Sequence, residues 1–207
     1  VPERPFPGIA TSTELRARDK GSLAKTLGVF IDKENGHIIA SFQKPKTDVV
    51  YHTHDGARFA LEPQKSSTTF SADVSYGGKI NVEVDGKNLV VQGFGHAEPT
   101  LFERVRRVRR RNDQSVIGIF YNDEWGSKYE IRKRPDGALE LWTGDRSIQG
   151  RRPLKQITEQ HWIAGSLDDG KFWSLKFIKT ASSNYDEFIF NAGNVRHKRF
   201  KRLVYAD

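Results

Sequence analysis

The sequence predicts a mainly β fold (all-β or α+β) in which two antiparallel β-rich halves, meander-like or sandwich-like, are joined by one short basic helix. Three observations support this prediction. Apolar and polar residues alternate over short runs, as in strands with one face in water. Glycine follows asparagine or aspartate between these runs, which favours tight hairpin turns. Near the middle of the chain, the alternation is replaced by a helical period.

The first half is predicted to consist of β-hairpins. Asn35-Gly36 and Asp55-Gly56 are turn signals, because these pairs readily adopt the left-handed conformation that a tight hairpin turn needs. Ile80, Val82 and Val84 alternate with polar residues, which is typical of a strand with one wet face. The predicted strands are Leu27–Asp32, His37–Phe42, Asp48–His54, Ala57–Glu62, Thr68–Tyr76, Lys79–Val84 and Lys87–Phe94.

A helix is predicted in the segment PTLFERVRRVRRR, which follows the first half. Leu101, Phe102, Val105 and Val108 fall at relative positions 0, +1, +4 and +7, so they would share one helix face. Pro99 suits the first turn of a helix, where its missing N–H would have no partner. The arginines of the segment would occupy the other face.

The second half returns to strand patterns, with turn signals at Pro135-Asp136-Gly137 and Asp168-Asp169-Gly170. The stretch 146–155 has no clear pattern and is predicted to be irregular. The predicted strands are Ser115–Tyr121, Lys128–Arg134, Ala138–Thr143, Gln160–Leu167, Phe172–Lys179, Glu187–Asn191 and a basic strand near Val195–Tyr205.

The openings of the two halves resemble each other. LGVFIDKENGHIIASFQK and IGIFYNDEWGSKYEIRKR each contain a short apolar strand, an acidic turn with glycine and a second strand. The likeness raises the hypothesis of a duplicated β-unit. The alternative is that unrelated hairpins converge on this pattern.

Composition and charge divide the chain unevenly. We predict a flexible N-terminal segment at 1–26, a β-rich first half at 27–98, the basic linking helix at 99–112 and a basic β-rich second half at 113–207, and the halves could pack as one domain. Residues 1–103 carry a net charge of −1, whereas residues 104–207 carry +9. This asymmetry predicts an anionic partner for the second half, with solubility as the alternative.

The chain contains no cysteine and no methionine. It therefore has no disulfide framework, no thiolate nucleophile and no cysteine metal site. Because Val1 is not an initiator methionine, we expect a processed or trimmed chain. The proline-rich start favours a secreted protein whose signal peptide has been removed, with an intracellular location as the alternative. No apolar run approaches the roughly 18 residues of a membrane-spanning helix, so no span is expected.

Two basic clusters and one tryptophan are the predicted partner-binding residues. The first cluster has three interpretations: a grip on an anionic partner, the solvated face of a packed helix, or a cleavage site resembling that of kexin and furin proteases. The second cluster could instead be the charged edge of a sheet that blocks aggregation. Trp125 lies in a polar turn and is a candidate exposed anchor. The basic candidates are Arg104, Arg106, Arg107, Arg109, Arg110, Arg111, Arg196, Lys198, Arg199, Lys201 and Arg202.

His52 and His54 are the best candidates for metal ligands, because alternate residues of a strand share one face. A third ligand would have to come from His96 or Glu62, and no standard spacing supports either. Surface histidines are the more common outcome, so we predict no metal site and no cofactor.

The sequence favours a binding protein over an enzyme. A metal-independent ribonuclease could use Glu159 and His161 with Arg151 and Arg152, but any basic protein contains such residues. We predict no catalytic residue. The expected function is that of a secreted, non-enzymatic binding protein, of the effector or virulence type, that engages a host protein or another anionic partner through its basic surface. The alternatives are a nucleic-acid-binding protein and a basic nuclease or carbohydrate-active enzyme.

Overall fold

A computed structural model of the chain describes residues 23–43, 49–54, 57–64, 66, 68–74, 78–93, 96–106, 114–144, 150–167, 170–179, 185–193 and 195–204. These residues form antiparallel strands and a 3-10 helix of one turn at Gln114–Val116. The prediction of a mainly β, antiparallel fold is therefore confirmed.

The first sheet contains nine strands in the order β4-β3-β2-β1-β9-β8-β7-β6-β5. Its inner face is covered by buried apolar side chains, among them Phe30, Phe70 and Phe102. The strands are β1 (Gly28–Ile31), β2 (Ile38–Gln43), β3 (Val50–His54), β4 (Ala57–Ala60), β5 (Glu62–Pro63), β6 (Thr69–Val74), β7 (Gly78–Asp85), β8 (Asn88–Gly93) and β9 (His96–Arg104).

The remaining eight strands form a closed barrel in sequence order. Aromatic rings fill its interior, as expected for a barrel of this size. Phe188 stacks on Phe200 and meets Phe120 edge-on, with ring centroids 4.9 Å and 5.0 Å apart. The strands are β10 (Gly118–Asn122), β11 (Ser127–Lys133), β12 (Leu139–Trp142), β13 (Arg151–Gln156), β14 (His161–Ser166), β15 (Lys171–Ile178), β16 (Glu187–Ala192) and β17 (Val195–Arg202).

The predicted linking helix is wrong over residues 99–106, and residues 107–112 lie outside the described part of the chain. Strand β9 continues to Arg104 and pairs with both β8 and β1. The apolar residues therefore alternate instead of sharing a face: Phe102 is fully buried, whereas Leu101 is 46% exposed. Pro99 lies where the register between β8 and β9 shifts, a position at which a strand tolerates proline. Pairing on both edges of β9 overrides the local helical period.

The prediction of an irregular stretch at 146–155 is also wrong in part. Residues from Arg151 onward form β13, which pairs with β12 and β14. Leu154 and Gln156 are buried and alternate with exposed Pro153 and Lys155, which is the alternation of a strand. Leu154 is the only apolar side chain besides Pro153 in the segment RRPLKQ, so the alternation of apolar and polar residues is too short to be recognised in the sequence.

The outer face of β1 and β2 packs against the barrel. Ile31, Ile38 and Ala40 form one buried apolar cluster with Ile163 and Phe172 of the barrel. The turn between β1 and β2 is fastened at the same place. Lys176 Nζ of the barrel donates hydrogen bonds to the carbonyls of Lys33 and Glu34 in this turn, at 2.6 and 2.7 Å. Asn191 Nδ2, also of the barrel, donates to the carbonyl of Asn35 at 3.2 Å. The first sheet and the barrel are thus joined by apolar packing and by polar contacts.

Each sheet also contains the same arginine clasp, which we define as an arginine on its last strand that lies over a phenylalanine and a glycine of its first strand. In the barrel, Arg202 lies 4.8 Å from the Phe120 ring centroid and against Gly118. Its guanidinium donates hydrogen bonds to the carbonyls of Ile117 (2.6 Å) and Ser115 (2.8 Å).

The clasp of the first sheet is built in the same way. Arg104 lies 4.7 Å from the Phe30 ring centroid, and its guanidinium donates to the carbonyls of Leu27 and Lys25. A Cβ on Gly28 would come within 3.0 Å of this guanidinium, so glycine is required there. The matching clasps support the hypothesis of a duplicated β-unit.

Candidate metal centre

Four of the six histidines of the chain meet where the first sheet faces the barrel. His37 precedes β2, His54 ends β3 and His96 begins β9, and all three are buried. His197 comes from β17 of the barrel and is exposed. We call these four residues the histidine group.

The ring nitrogens of the three buried histidines lie close enough to share one ion, and His197 lies next to one of them. One ligand nitrogen each of His37, His54 and His96 lies within 4.8 Å of the other two. The Nε2 atoms of His54 and His96 are 3.4 Å apart, and those of His37 and His197 are 2.8 Å apart. Two nitrogens on one tetrahedral zinc ion, each at 2.0–2.1 Å from the metal, are separated by about 3.3–3.4 Å. The first pair already has this spacing, and the second reaches it by a shift of about 0.5 Å.

Strand order explains why histidines so far apart in sequence meet. β1 is central in the first sheet and pairs with both β2 and β9, which places the residue before β2 near the strand that carries His96. The rings of His54 and His96 stack on each other (centroids 5.1 Å apart) and both meet Phe102 edge-on, at 5.7 and 5.4 Å. This phenylalanine belongs to the core of the first sheet, so it holds two of the four rings in place.

His197 is placed by an irregular stretch of the barrel. The register between β16 and β17 shifts beyond Phe190, and His197 has a φ of 53°, in the left-handed region. The backbone N–H of His197 donates to Asn191 Oδ1 at 2.8 Å. The Asn191 side chain in turn donates from Nδ2 to the carbonyl of Asn35, in the turn between β1 and β2. One asparagine therefore fixes both His197 and the turn that leads to His37.

The other two histidines are separate from the group. His52 is buried against Phe59, with Nδ1 at 2.9 Å from Ser41 Oγ, and burial lowers its pKa to about 3. His161 of β14 is buried where the barrel meets the first sheet, with Nδ1 at 2.8 Å from Thr158 Oγ1 and Asp32 nearby. Burial, and then the charge of Lys176, lowers its pKa to about 4. Both rings are neutral near pH 7 and act as core side chains.

The chemistry of the group is that of an all-nitrogen metal site. Each neutral imidazole offers one lone pair, and the group of buried potential ligands found among the described residues contains no carboxylate. Imidazole suits Zn²⁺, Cu²⁺ and Ni²⁺, whereas Mg²⁺ and Ca²⁺ prefer oxygen. The arrangement can therefore hold a divalent transition-metal ion with three or four nitrogens.

The structure brings together part of the metal site weighed in the sequence. His54 and His96 are in the group, whereas His52 and Glu62 are not, and Asp55 lies outside the described residues. Neither His37 nor His197 was among the candidate ligands in the sequence. No spacing rule connects residues 37, 54, 96 and 197, so only the closure of the sheets reveals the group.

The described basic candidates are largely engaged within the chain. Arg104 and Arg202 form the two clasps, Lys198 pairs with Glu124 (2.5 Å), and Arg199 pairs with Glu187 (3.2 Å). Three further candidates are placed as follows: Arg106 and Lys201 are exposed, and Arg196 is half-buried. The candidates Arg107, Arg109, Arg110 and Arg111 lie outside the described residues.

Trp125 is half-buried and packs against the aromatic core of the barrel. Its ring meets Phe200 edge-on at 6.2 Å, and Lys198 Nζ lies 5.6 Å above it. It is therefore less exposed than its polar turn suggests.

The residues considered for nuclease chemistry are also placed. The His161 side chain binds Thr158, and the Arg152 guanidinium lies 3.7 Å above the Trp173 ring. Arg152 therefore contacts Trp173, and the cations that lie near His161 are Lys176 and Lys33.

Among the described residues, no helix is long and apolar enough to cross a membrane. Neither the comparison with protein-family models nor the comparison with curated proteins found a match for this chain.

Proposed function

We propose that this chain is a metal-binding protein whose histidine group holds one divalent transition-metal ion. The observation that carries the proposal is the meeting of three buried histidines, His37, His54 and His96, with their ligand nitrogens within 4.8 Å of one another. Zn²⁺ is the first candidate, because tetrahedral zinc accepts imidazole nitrogen at the spacing seen between His54 and His96.

A purely structural role as buried side chains explains the histidine group less well than it explains His52 and His161. His52 and His161 each bind one hydroxyl group of their own sheet, and His161 also lies beside Asp32 of the first sheet. In the histidine group, His37, His54 and His96 instead pack against one another and His197 packs against His37, with centroid distances of 4.8 to 5.2 Å. Bringing four polar rings to one place sacrifices apolar packing, and a shared ion supplies a physical reason for it.

The test is a titration of the full chain with Zn²⁺ by calorimetry and with Co²⁺ by visible absorption. We expect one ion per chain and a Co²⁺ spectrum with the intensity of a four-coordinate nitrogen site. His54→Ala and His96→Gln should each weaken binding by at least about 100-fold, since each removes a ligand. Circular dichroism verifies that the variants are folded.

His161→Gln is the matched control, because it removes a buried histidine that lies outside the group. It should bind Zn²⁺ as the parent chain does. Absence of binding at micromolar Zn²⁺, or equal binding by all of these variants, would contradict the proposal.

A second candidate function follows from the exposed cations of β17. Arg199 and Lys201 lie on either side of buried Phe200, so both side chains face water on the same side of the strand. This surface supports the proposal of an anionic partner, such as nucleic acid or an acidic polysaccharide. Secretion and a role as an effector remain predictions from the sequence alone.

Binding to heparin and to random RNA, measured from low to physiological salt, tests the anionic partner. One variant replaces Arg199 and Lys201 of β17 with glutamine. We expect it to bind more weakly and with a smaller salt slope, whereas unchanged binding would remove this surface as the candidate. A second variant replaces the arginines of the first cluster except Arg104, which must stay intact because it forms a clasp; the replaced residues are Arg106, Arg107, Arg109, Arg110 and Arg111.

A further inference from the structure

We infer that His197 is the fourth ligand of the ion, supplied by the barrel, so that metal binding clamps the first sheet to the barrel. This inference rests on the proposed metal site and adds a bridging role to it. The three buried ligands belong to the first sheet, and His197 is the member of the group that belongs to the barrel.

The contact with His37 places His197 beside a ligand of the proposed site. Its Nε2 lies 2.8 Å from His37 Nε2, and the two rings are tilted by 66° with centroids 4.9 Å apart. Without an ion, this spacing is that of a hydrogen bond in which one ring donates its N–H and the other accepts. A shift of about 0.5 Å would bring the two nitrogens to the separation of neighbouring ligands on one zinc ion.

The backbone around His197 is built to hold it there. Its φ of 53° requires a left-handed conformation, which costs a non-glycine residue about 1 kcal/mol and persists when surrounding contacts fix it. Asn191 provides such contacts, because it binds the His197 N–H and the Asn35 carbonyl at once. The ligand from the barrel and the turn of the first sheet are therefore positioned by the same side chain.

The difference in exposure gives His197 a distinct role. His37, His54 and His96 are buried, whereas His197 is exposed. His197 therefore lies on the solvent side of the proposed site, and the other three histidines lie on its inner side. A bond from His197 to the ion would add a link between the first sheet and the barrel to the apolar cluster around Ile38 and Phe172.

The first experiment compares His197→Ala with the parent chain and with Lys201→Ala, an exposed residue of the same strand. We expect His197→Ala to weaken Zn²⁺ binding by at least about tenfold, since loss of groups even outside the coordination shell costs about 10–100-fold. Its Co²⁺ spectrum should change, because water replaces one nitrogen. Lys201→Ala should leave both unchanged.

The second experiment measures the clamp by hydrogen exchange with and without Zn²⁺. The Ile38 amide reports on the junction, because it donates to Ser174 Oγ of the barrel at 3.2 Å. Zn²⁺ should slow exchange there by about tenfold in the parent chain, equivalent to about 1.4 kcal/mol. In His197→Ala, saturating Zn²⁺ should leave this exchange unchanged.

The outcomes separate the two proposals. If the parent chain binds no Zn²⁺, the metal site itself fails. If His54→Ala abolishes binding while His197→Ala matches the parent chain in affinity, Co²⁺ spectrum and exchange at Ile38, the metal site stands and the bridging role is overturned.

Discussion

Replacing Arg202 with alanine should lower the free energy of unfolding of the barrel and leave the histidine group unchanged. Strand β17 meets β10 at only two residue pairs in the described register, Phe120 with Arg202 and Tyr121 with Lys201. The guanidinium extends this short seam, because it binds carbonyls that precede β10 in the chain.

The expected loss can be worked out from the contacts of the guanidinium. It makes three hydrogen bonds to backbone carbonyls, at 2.7 Å to Tyr185, 2.6 Å to Ile117 and 2.8 Å to Ser115. At about 1 kcal/mol net for each, they contribute about 3 kcal/mol. The cation–π contact with Phe120 adds about 0.5–1 kcal/mol. We therefore expect Arg202→Ala to lower the free energy of unfolding by about 3–4 kcal/mol.

Urea denaturation followed by tryptophan fluorescence measures this loss. Arg202→Lys should lose about 2 kcal/mol, because one ammonium group cannot reach three carbonyls in the guanidinium geometry. Lys201→Ala, its exposed neighbour, should change the free energy of unfolding by less than about 0.5 kcal/mol. If Arg202→Ala is as stable as Lys201→Ala, or lowers heparin affinity instead of stability, the clasp interpretation is refuted.

Two further predictions concern the junction and the pH. Gly36→Ala should lower the free energy of unfolding, measured by urea denaturation, by about 2 kcal/mol or more, because φ is 79° and a Cβ would overlap the Lys176 side chain. Gly86→Ala is the control, since Gly86 has a φ of 59° and faces open space, and it should lower the free energy of unfolding by only about 1 kcal/mol. Equal losses would contradict the close packing at the turn. The folded-state pKa of His161 is about 4 and its ordinary value is 6.5, so the unfolded chain binds more protons between these values. Its contribution to stability is therefore complete above about pH 6.5 and is lost as the pH falls towards 4, by about 3 kcal/mol. His161→Gln should reduce the pH dependence of stability in this range and leave the part that comes from His52, whose pKa is about 3; an unchanged profile would contradict the assignment.

The strands could be predicted from the sequence because their signals are local. Ile80, Val82 and Val84 are buried in alternation with exposed neighbours, as their pattern predicts. The turn glycine Gly36 has the positive φ that Asn35-Gly36 indicates. Such features depend on a few neighbouring residues, so one sequence is enough to recognise them.

The helix prediction failed because pairing with distant strands decides the structure of 99–104. The spacing of Leu101 and Phe102 fits a helix as well as the start of a strand, and the sequence does not show that β1 and β8 are available on both sides. The closure of the barrel could not be predicted for the same reason, because it depends on the pairing of Phe120 with Arg202, which lie at opposite ends of the second half.

The candidate site was only partly predictable for the same reason. His52 and His54 attract attention because they share a strand face, but only His54 joins the group. His37 and His197 lie 160 positions apart, and nothing in their local sequence connects them. The likeness between the two openings did have structural meaning, because Gly28 and Gly118 occupy matching places in the two clasps.

X-ray absorption spectroscopy of the zinc-loaded full chain shows whether the histidine group binds the ion. We predict that zinc remains bound after desalting, one ion per chain, with four nitrogen ligands of imidazole type at about 2.0–2.1 Å. Zinc that is lost on desalting, or a shell of oxygen ligands in place of imidazole nitrogens, would contradict a metal centre built from His37, His54, His96 and His197.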